Sequence, residues 1–436
     1  MKQVFLLALA VPAIGCLSIA WKEDAGLALK PTPESRALLA QAPTRSGKLT
    51  LIPYRLSGDG SDRLQSRWGY CDPTKRLVLE ARYGDAEPFS DGLARVVRNG
   101  KWGYIDESGR EVVPCKYDDI DDFHEGLAVA QRDGNSGYVD KSGKEVIPFT
   151  YFEHHASAFS EGLARVEPSD FMVGYIDRTG KEVIPARYDA GESFSEGLAA
   201  VGMESGDHDK WGFIDKSGRL VIPFRYDRVE AFANGLAKVE RATEAGFKAG
   251  LIDRTGKVVA PLKYDELGEF SEGLARVKRG ERVGFIDRRG KEVIALKYRD
   301  ASPSFSEGLA YVETVSGQGL YIDKAGKKVL AAPYFLADPF YEGMAAVRLK
   351  KQRTSGYIDR TGKVVVPLKY DHTGRFSEGL GAVERNGKVG YVDKTGKVVI
   401  PLKYEYGTEF SGALATVKLN GKYGYIGRDG AEYFAP

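Results

Sequence analysis

At 436 residues the chain has length for two to four ordinary domains of ~100–200 residues, unless it is a repeat array in which domain counting loses its meaning. Its 63 Lys+Arg against 61 Asp+Glu leave a net charge of +2, which gives no field to draw nucleic acid or an anionic membrane surface. With 52 Gly, 24 Tyr and only 4 Met, the composition points to tight turns and pleated strands, with little helix.

The chain opens "MKQVFLLALAVPAIGCLSIAW": a Lys at position 2, an apolar stretch from Val4 to Ile14, then small residues. That is the layout of a secretory signal, and it predicts a signal peptide over 1–20 and an exported mature protein, periplasmic, envelope-bound or extracellular. The favoured cut lies before Trp21, after Ser18 and Ala20. A second reading takes "AIGC" as a lipoprotein box with Cys16 carrying lipid, although Ala13 stands where Leu is usual. A third, an uncleaved anchor over Val4 to Ala20, meets the ~17–25 residues of a bilayer span but is weakened by Pro12 and Ser18. Residues 21–48, rich in Ala and Pro, read as a linker, and the folded array is expected over 49–436.

From Leu49 onward one phrase returns. "KWGYIDESGREVVP" at 101 becomes "GYIDRTGKEVIP" at 174, "GFIDKSGRLVIP" at 212 and "GYVDKTGKVVIP" at 390. Its Asp recurs at 72, 106, 140, 177, 215, 253, 287, 323, 359 and 393, with Gly427 in the eleventh slot, at steps that signal a solenoid, propeller or array. "FSEGLA" and its variants keep the same register, and a Tyr follows each Asp by eleven residues, from Tyr83 and Tyr117 through Tyr188 and Tyr264 to Tyr404.

Within one unit, "LARVVR" alternates like a half-buried strand, and Asn99–Gly100 is the pair that a type I′ hairpin turn demands. "KWGYID" is the return strand. In "DESG", Asp106 can bond backbone N–H groups two residues on, and Gly109 can take the left-handed conformation. "REVVP" is a third strand, stopped by Pro114, and the recurrence of Pro at 148, 185, 223, 261, 367 and 401 places this slot on an edge, at a bulge or at a strand end.

These phrases, in fixed register over roughly 49–436, resemble the bacterial WG repeat family, although Trp precedes Gly only at 68, 102 and 211, and Leu320 replaces the Gly itself. The resemblance implies an extracytoplasmic or surface-associated β-repeat protein that binds other molecules, and it brings no catalytic residues.

The predicted architecture is all-β: about ten three-stranded antiparallel meanders in an open, twisted stack, with recurring Tyr and Phe in the seams. A closed propeller is the rival, disfavoured because propeller blades have four strands and rings usually have 4–8 blades. Units differ most at one hairpin tip, which is longest at "GMESGDHDK" (202–210) and "ERATEAGFK" (240–248). Insertions at equivalent tips gather on one side of an array, so Met203, Glu204, Asp207, His208, Asp209, Arg241, Glu244 and Phe247 are the candidate binding residues.

The recurrent Asp is read as a turn former rather than an acid or metal ligand, since it has a Gly three residues on and no convergent partner. His154 and His155 are adjacent with no third ligand in view, and no cofactor or metal is expected. Cys71 and Cys115 read as small buried residues, with a disulfide as the alternative that export would permit. No nucleophile elbow, P-loop or zincin motif occurs, so the reading is a non-enzymatic exported scaffold for protein–protein interaction at the cell envelope. The alternative is a carbohydrate or cell-wall binder that stacks sugars on the repeated rings. Burial of Tyr117, Tyr188 and Tyr264 would remove its main support.

Overall fold

The computed structural model describes residues 51–57, 67–152, 154–168, 172–205, 208–349 and 351–434. The predicted signal peptide, the lipidation candidate Cys16 and the linker lie outside the described residues. Those described contain no helix.

Eleven small antiparallel sheets follow one another along the chain, covering 52–83, 85–117, 119–152, 163–188, 190–226, 228–264, 266–298, 300–331, 336–370, 372–404 and 406–433; they are called sheets 1 to 11. Sheet 2 is typical: strands Asp85–Ala86, Leu93–Arg98, Lys101–Asp106 and Glu111–Tyr117, paired in sequence order. Nine of the sheets carry the four-stranded pattern, sheets 1 and 4 three strands. The expected meander is therefore a unit of four strands. The strand that sequence reading missed is two residues long, too short to show any alternation.

The expected turns form as read. Asn99 and Gly100 take φ of 53° and 75° between Arg98 and Lys101, which face each other. The Asp106 carboxylate accepts from Ser108 N at 3.0 Å, Ser108 Oγ at 2.6 Å and Arg110 N at 3.1 Å. Gly109 has φ of 80°. The hydroxyl of Ser108 and the Arg110 guanidinium hold the Asp106 carboxyl down, to about 2. Sheets 4 and 6 repeat the arrangement with Thr179 on Asp177 and Thr255 on Asp253.

The prolines do not stop strands. In sheet 2, Trp102 faces Tyr117 and Tyr104 faces Val113, so Gly103 alone stands opposite Pro114, Cys115 and Lys116. The outer strand arches over Gly103 in a bulge, where Pro can omit its N–H without breaking the ladder. One observation thus explains both letters of the motif: the Pro sits in the arch and the Gly makes room beneath it. A Cβ on Gly103 would lie 2.5 Å from Val113 O.

Neighbouring sheets pack face to face, and aromatic pairs fill the seams. Tyr70–Phe89, Tyr104–Phe123, Tyr138–Phe159, Tyr175–Phe194, Tyr357–Phe376 and Tyr391–Phe410 have ring centroids 4.7–5.0 Å apart. Each such pair contributes ~0.5–1.5 kcal/mol beyond the area buried. The Tyr hydroxyl also crosses the seam: Tyr70, Tyr138 and Tyr391 donate to the carbonyls of Glu87, Ser157 and Thr408 in the next sheet, each at 2.7 Å.

Sheet 11 meets sheet 1. Tyr433 Oη donates to the Pro73 carbonyl at 3.4 Å, and Lys75 Nζ lies 6.0 Å from the Tyr433 ring centroid. The eleven sheets therefore form a closed propeller-like ring, the arrangement that the sequence reading had placed second. Two things favour closure over the open stack. The unit has four strands, and the first and last sheets are the two halves of the closing seam.

Candidate functional site

The antiparallel order fixes two faces. The "FSEG" turns and the "DxxG" turns project on one face; the hairpin tips between second and third strands, and the links between sheets, project on the other. On the turn face, Glu161 of sheet 4 accepts from Gly197 N of sheet 5 at 2.9 Å and pairs with Lys216 of that sheet at 3.1 Å. Glu272, Glu307, Glu342 and Glu378 repeat this toward Gly308, Gly343, Gly379 and Ala413. Those carboxylates are structural staples between sheets.

The tip face has its own staple. Asp118 accepts from Asp133 N, at the tip of its following hairpin, at 2.9 Å and pairs with Lys101 of the preceding sheet. The Lys101 ammonium holds its carboxyl below the usual range. Asp227 and Asp265 do the same with Ala242 N and Lys210, and with Gly280 N and Lys248. Function has room where this pattern is broken.

It is broken at four slots, with Gly84 and Arg299 at two of them and an exposed aromatic ring at the other two. At the Asp slot stand Phe152, 72% exposed, and Phe335, 53% exposed. The tip of sheet 8 adds Val315, 55% exposed. Sheet 8 is also where "GL" replaces the usual order before "YID". There Leu320 faces Ala331 directly, and Gly319 takes over the close approach, with a Cβ 2.3 Å from Ala332 O. Shifting the arch by one residue opens a shallow groove of ≈ 490 Å³ between sheets 7 and 8, lined by Lys297, Tyr298, Thr314, Val315, Ser316 and Leu320. The sequence reading noted Leu320 but not its consequence, and passed over Phe152 and Phe335. The readable signal was "TYF" and "PYF" in place of "KYD".

The two long tips lie on the tip face of adjacent sheets 5 and 6, and they are hairpin ribbon rather than irregular loops. Pairing continues to Ser205↔His208 in sheet 5 and to Thr243↔Gly246 in sheet 6. Each strand is two residues longer than in sheet 2, so the ribbons stand ~7 Å higher at ~3.4 Å per residue. Met203 is half-buried against the core shared by sheets 4 and 5. Glu204, Arg241 and Glu244 are exposed, and the Arg241 guanidinium lies 5.7 Å from the Tyr226 ring centroid. Phe247 is covered on one side by Arg228, whose Cζ is 3.8 Å from the ring centroid. Asp207 lies outside the described residues, as do the side chains of His208 and Asp209, whose backbone is strand.

Tyr117, Tyr188 and Tyr264 are buried between sheets, so the repeated rings offer no platform for a sugar. His154 and His155 take different partners, Gln131 and Glu167, each at 3.0 Å. Among the described residues no group of three or more His, Cys, Asp or Glu comes together. Cys71 and Cys115 are free thiols, each pushed up to about 11 by burial, so the disulfide alternative is not realised.

Comparison with solved structures finds low-identity likenesses. They include BamB from Moraxella catarrhalis (13% identity, 64% of this chain and 92% of that chain, TM-score 0.30) and a eukaryotic initiation factor (11%, 88% and 95%, 0.39). The extracellular domain of the putative one component system BT4673 from B. thetaiotaomicron is another (12%, 84% and 61%, 0.29). No curated protein sequence matches. The family model described as "WG containing repeat" matches ten stretches: 68–102, 102–135, 137–167, 174–205, 211–241, 250–282, 284–314, 321–351, 356–388 and 390–423. With the motif Gly under a bulge, the Asp turn and the paired rings recurring sheet after sheet through the matched stretches, the chain belongs to the WG containing repeat family.

Proposed function

We propose that the protein is an exported, non-enzymatic scaffold that binds a protein partner on its tip face. The observation that carries this reading is that the longest hairpins and the exposed apolar side chains of the tips and links lie together on the tip face. Two adjacent ribbons stand above the rest, and Phe335 and Val315 lie exposed beside a groove on the same side. Exposed aromatic and aliphatic side chains ringed by charge suit a protein surface. Export rests on the layout of the first 20 residues, and attachment through lipidated Cys16 remains part of the proposal.

The test replaces residues 204–209 and 242–247 each by Asn-Gly, which restores the length of the sheet 2 hairpin and keeps Met203 and the staple residues Lys210 and Lys248. Shortening a hairpin changes loop-closure entropy by only ~0.6 kcal/mol per halving of length, so the variant should keep its far-UV spectrum and nearly its melting temperature. In pull-downs from envelope extract, the variant should recover at least tenfold less of any partner that the parent captures. Equal recovery would remove the ribbons from the site.

A further inference from the structure

Most interior seams share a set of bonds, and the closing seam lacks two of them. In sheets 4, 9 and 10 the third-strand Tyr donates to a carbonyl of the next sheet: Tyr175 to Glu192, Tyr357 to Gly374 and Tyr391 to Thr408. The seam between sheets 6 and 7 has Leu251 at the Tyr slot and Asn234 at the Glu slot, but there Leu251 packs into the shared core and Arg288 donates to the Ala233 and Asn234 carbonyls. Tyr425, at this position in sheet 11, is 4% exposed, and its hydroxyl has no hydrogen-bond partner. A buried hydroxyl without a partner costs ~1–3 kcal/mol.

The Glu staple is missing as well. Sheet 11 spells its turn "FSGALA", so Gly412 stands where Glu161, Glu307 and Glu342 reach across. Pro73 stands where sheets 5, 8 and 10 place the answering Lys216, Lys324 and Lys394. Between the two sheets lies an open cleft lined by Ile52, Pro73, Ala413, Leu414, Arg428 and Tyr433. Lining atoms that face such a cleft lack the contacts that a closed seam supplies.

We propose that the seam between sheets 11 and 1 is where this ring opens, while the ten interior seams stay shut. Each missing element lowers the free energy of separating these two faces, and among the described residues this is the seam at which a buried third-strand Tyr hydroxyl is left without a partner. Opening there breaks no strand pairing, because each sheet keeps its own ladder. It exposes the inner faces of sheets 11 and 1, with Tyr425 and Tyr433 upon them.

The test is tyrosine nitration of the full chain under native conditions, mapped by mass spectrometry over time. Tyr425 and Tyr433 should be modified at least tenfold faster than Tyr391 and Tyr357 in interior seams, all four being buried in the closed ring. A second variant separates seam opening from fraying of the last sheet. Pro73→Lys with Gly412→Glu installs the interior ion pair across the closing seam. Gly412 has φ of 61°, close to the 55° of Glu161, so the backbone accepts Glu. This variant should slow nitration of Tyr425 at least threefold and leave that of Tyr391 unchanged. Tyr425 reacting no faster than Tyr391 would overturn the proposal, as would fast nitration that the double substitution leaves untouched.

Discussion

Gly284→Ala should destabilise sheet 7 by about 3 kcal/mol or more, while Gly92→Ala should cost about 1 kcal/mol. Gly284 lies under the bulge of its outer strand, and a Cβ there would be 2.4 Å from Ile294 O and 2.8 Å from Ala295 C and Leu296 N. These are backbone atoms, so relief requires lifting the arch and with it the contacts of Ile294 and Tyr298 in the seam to sheet 8. Gly92 has φ of 79° but nothing within 4 Å of its Cβ, so Ala there meets only the strain of the left-handed conformation. Denaturant unfolding of the two variants against the parent checks the ranking. Equal costs would mean that the motif Gly serves its own dihedral rather than the crossing strand.

Asp338→Asn should stabilise the protein at pH 7 by about 2 kcal/mol and leave it unchanged at pH 4. In sheet 2 the equivalent acid, Glu87, pairs with Arg95; in sheet 6, Glu230 pairs with Lys238 at 2.9 Å. In sheet 9 the basic slot holds Ala346, whose carbonyl accepts from Asp338 N at 2.9 Å. The Asp338 carboxylate has no cation or donor among the described residues, and nearby Glu409 is committed to Arg375. Burial, aided by the Glu409 charge, pushes its carboxyl up to about 6.

The raised value fixes the sign. Between about pH 4 and 6 the folded chain holds a proton that the unfolded chain has released, so this group's penalty is absent at pH 4 and complete above pH 6. The difference in unfolding free energy between parent and variant should therefore grow from pH 4 to pH 7 and then level off. Ala346→Arg should recover part of the same gain by pairing the carboxylate. A flat difference would show that Asp338 is solvated. Burial raises Asp121 and Glu192 in the same register, and it holds even Arg95-paired Glu87 above the usual range.

Much of the unit was legible because its signals are local. Asn99–Gly100, the Asp106 turn and the alternation of "LARVVR" each act within a few residues, and each forms as read. The role of Pro114 was legible only as one of three, an edge, a bulge or a strand end, because a bulge is a relation between two strands and the pairing of Trp102 with Tyr117 is what selects it. Closure was obscured for a similar reason. The strand Asp85–Ala86 is too short to carry a period, and without it the unit counts three strands.

The tip insertions at 202–210 and 240–248 were placed on the right side of the unit, but they were read as loops rather than ribbon. Phe152 and Phe335 were not legible as departures, since the sequence alone does not show what the Asp in that slot does. Their significance depends on Asp118 and Asp265 being staples, which only the bonds to Lys101 and Lys248 reveal.

The central claim is a closed ring of eleven like sheets. End-on class averages of the full chain by cryo-electron microscopy test it most directly. A closed ring with eleven radial spokes is the result the account predicts. An open arc, or a ring with a different number of spokes, would contradict it.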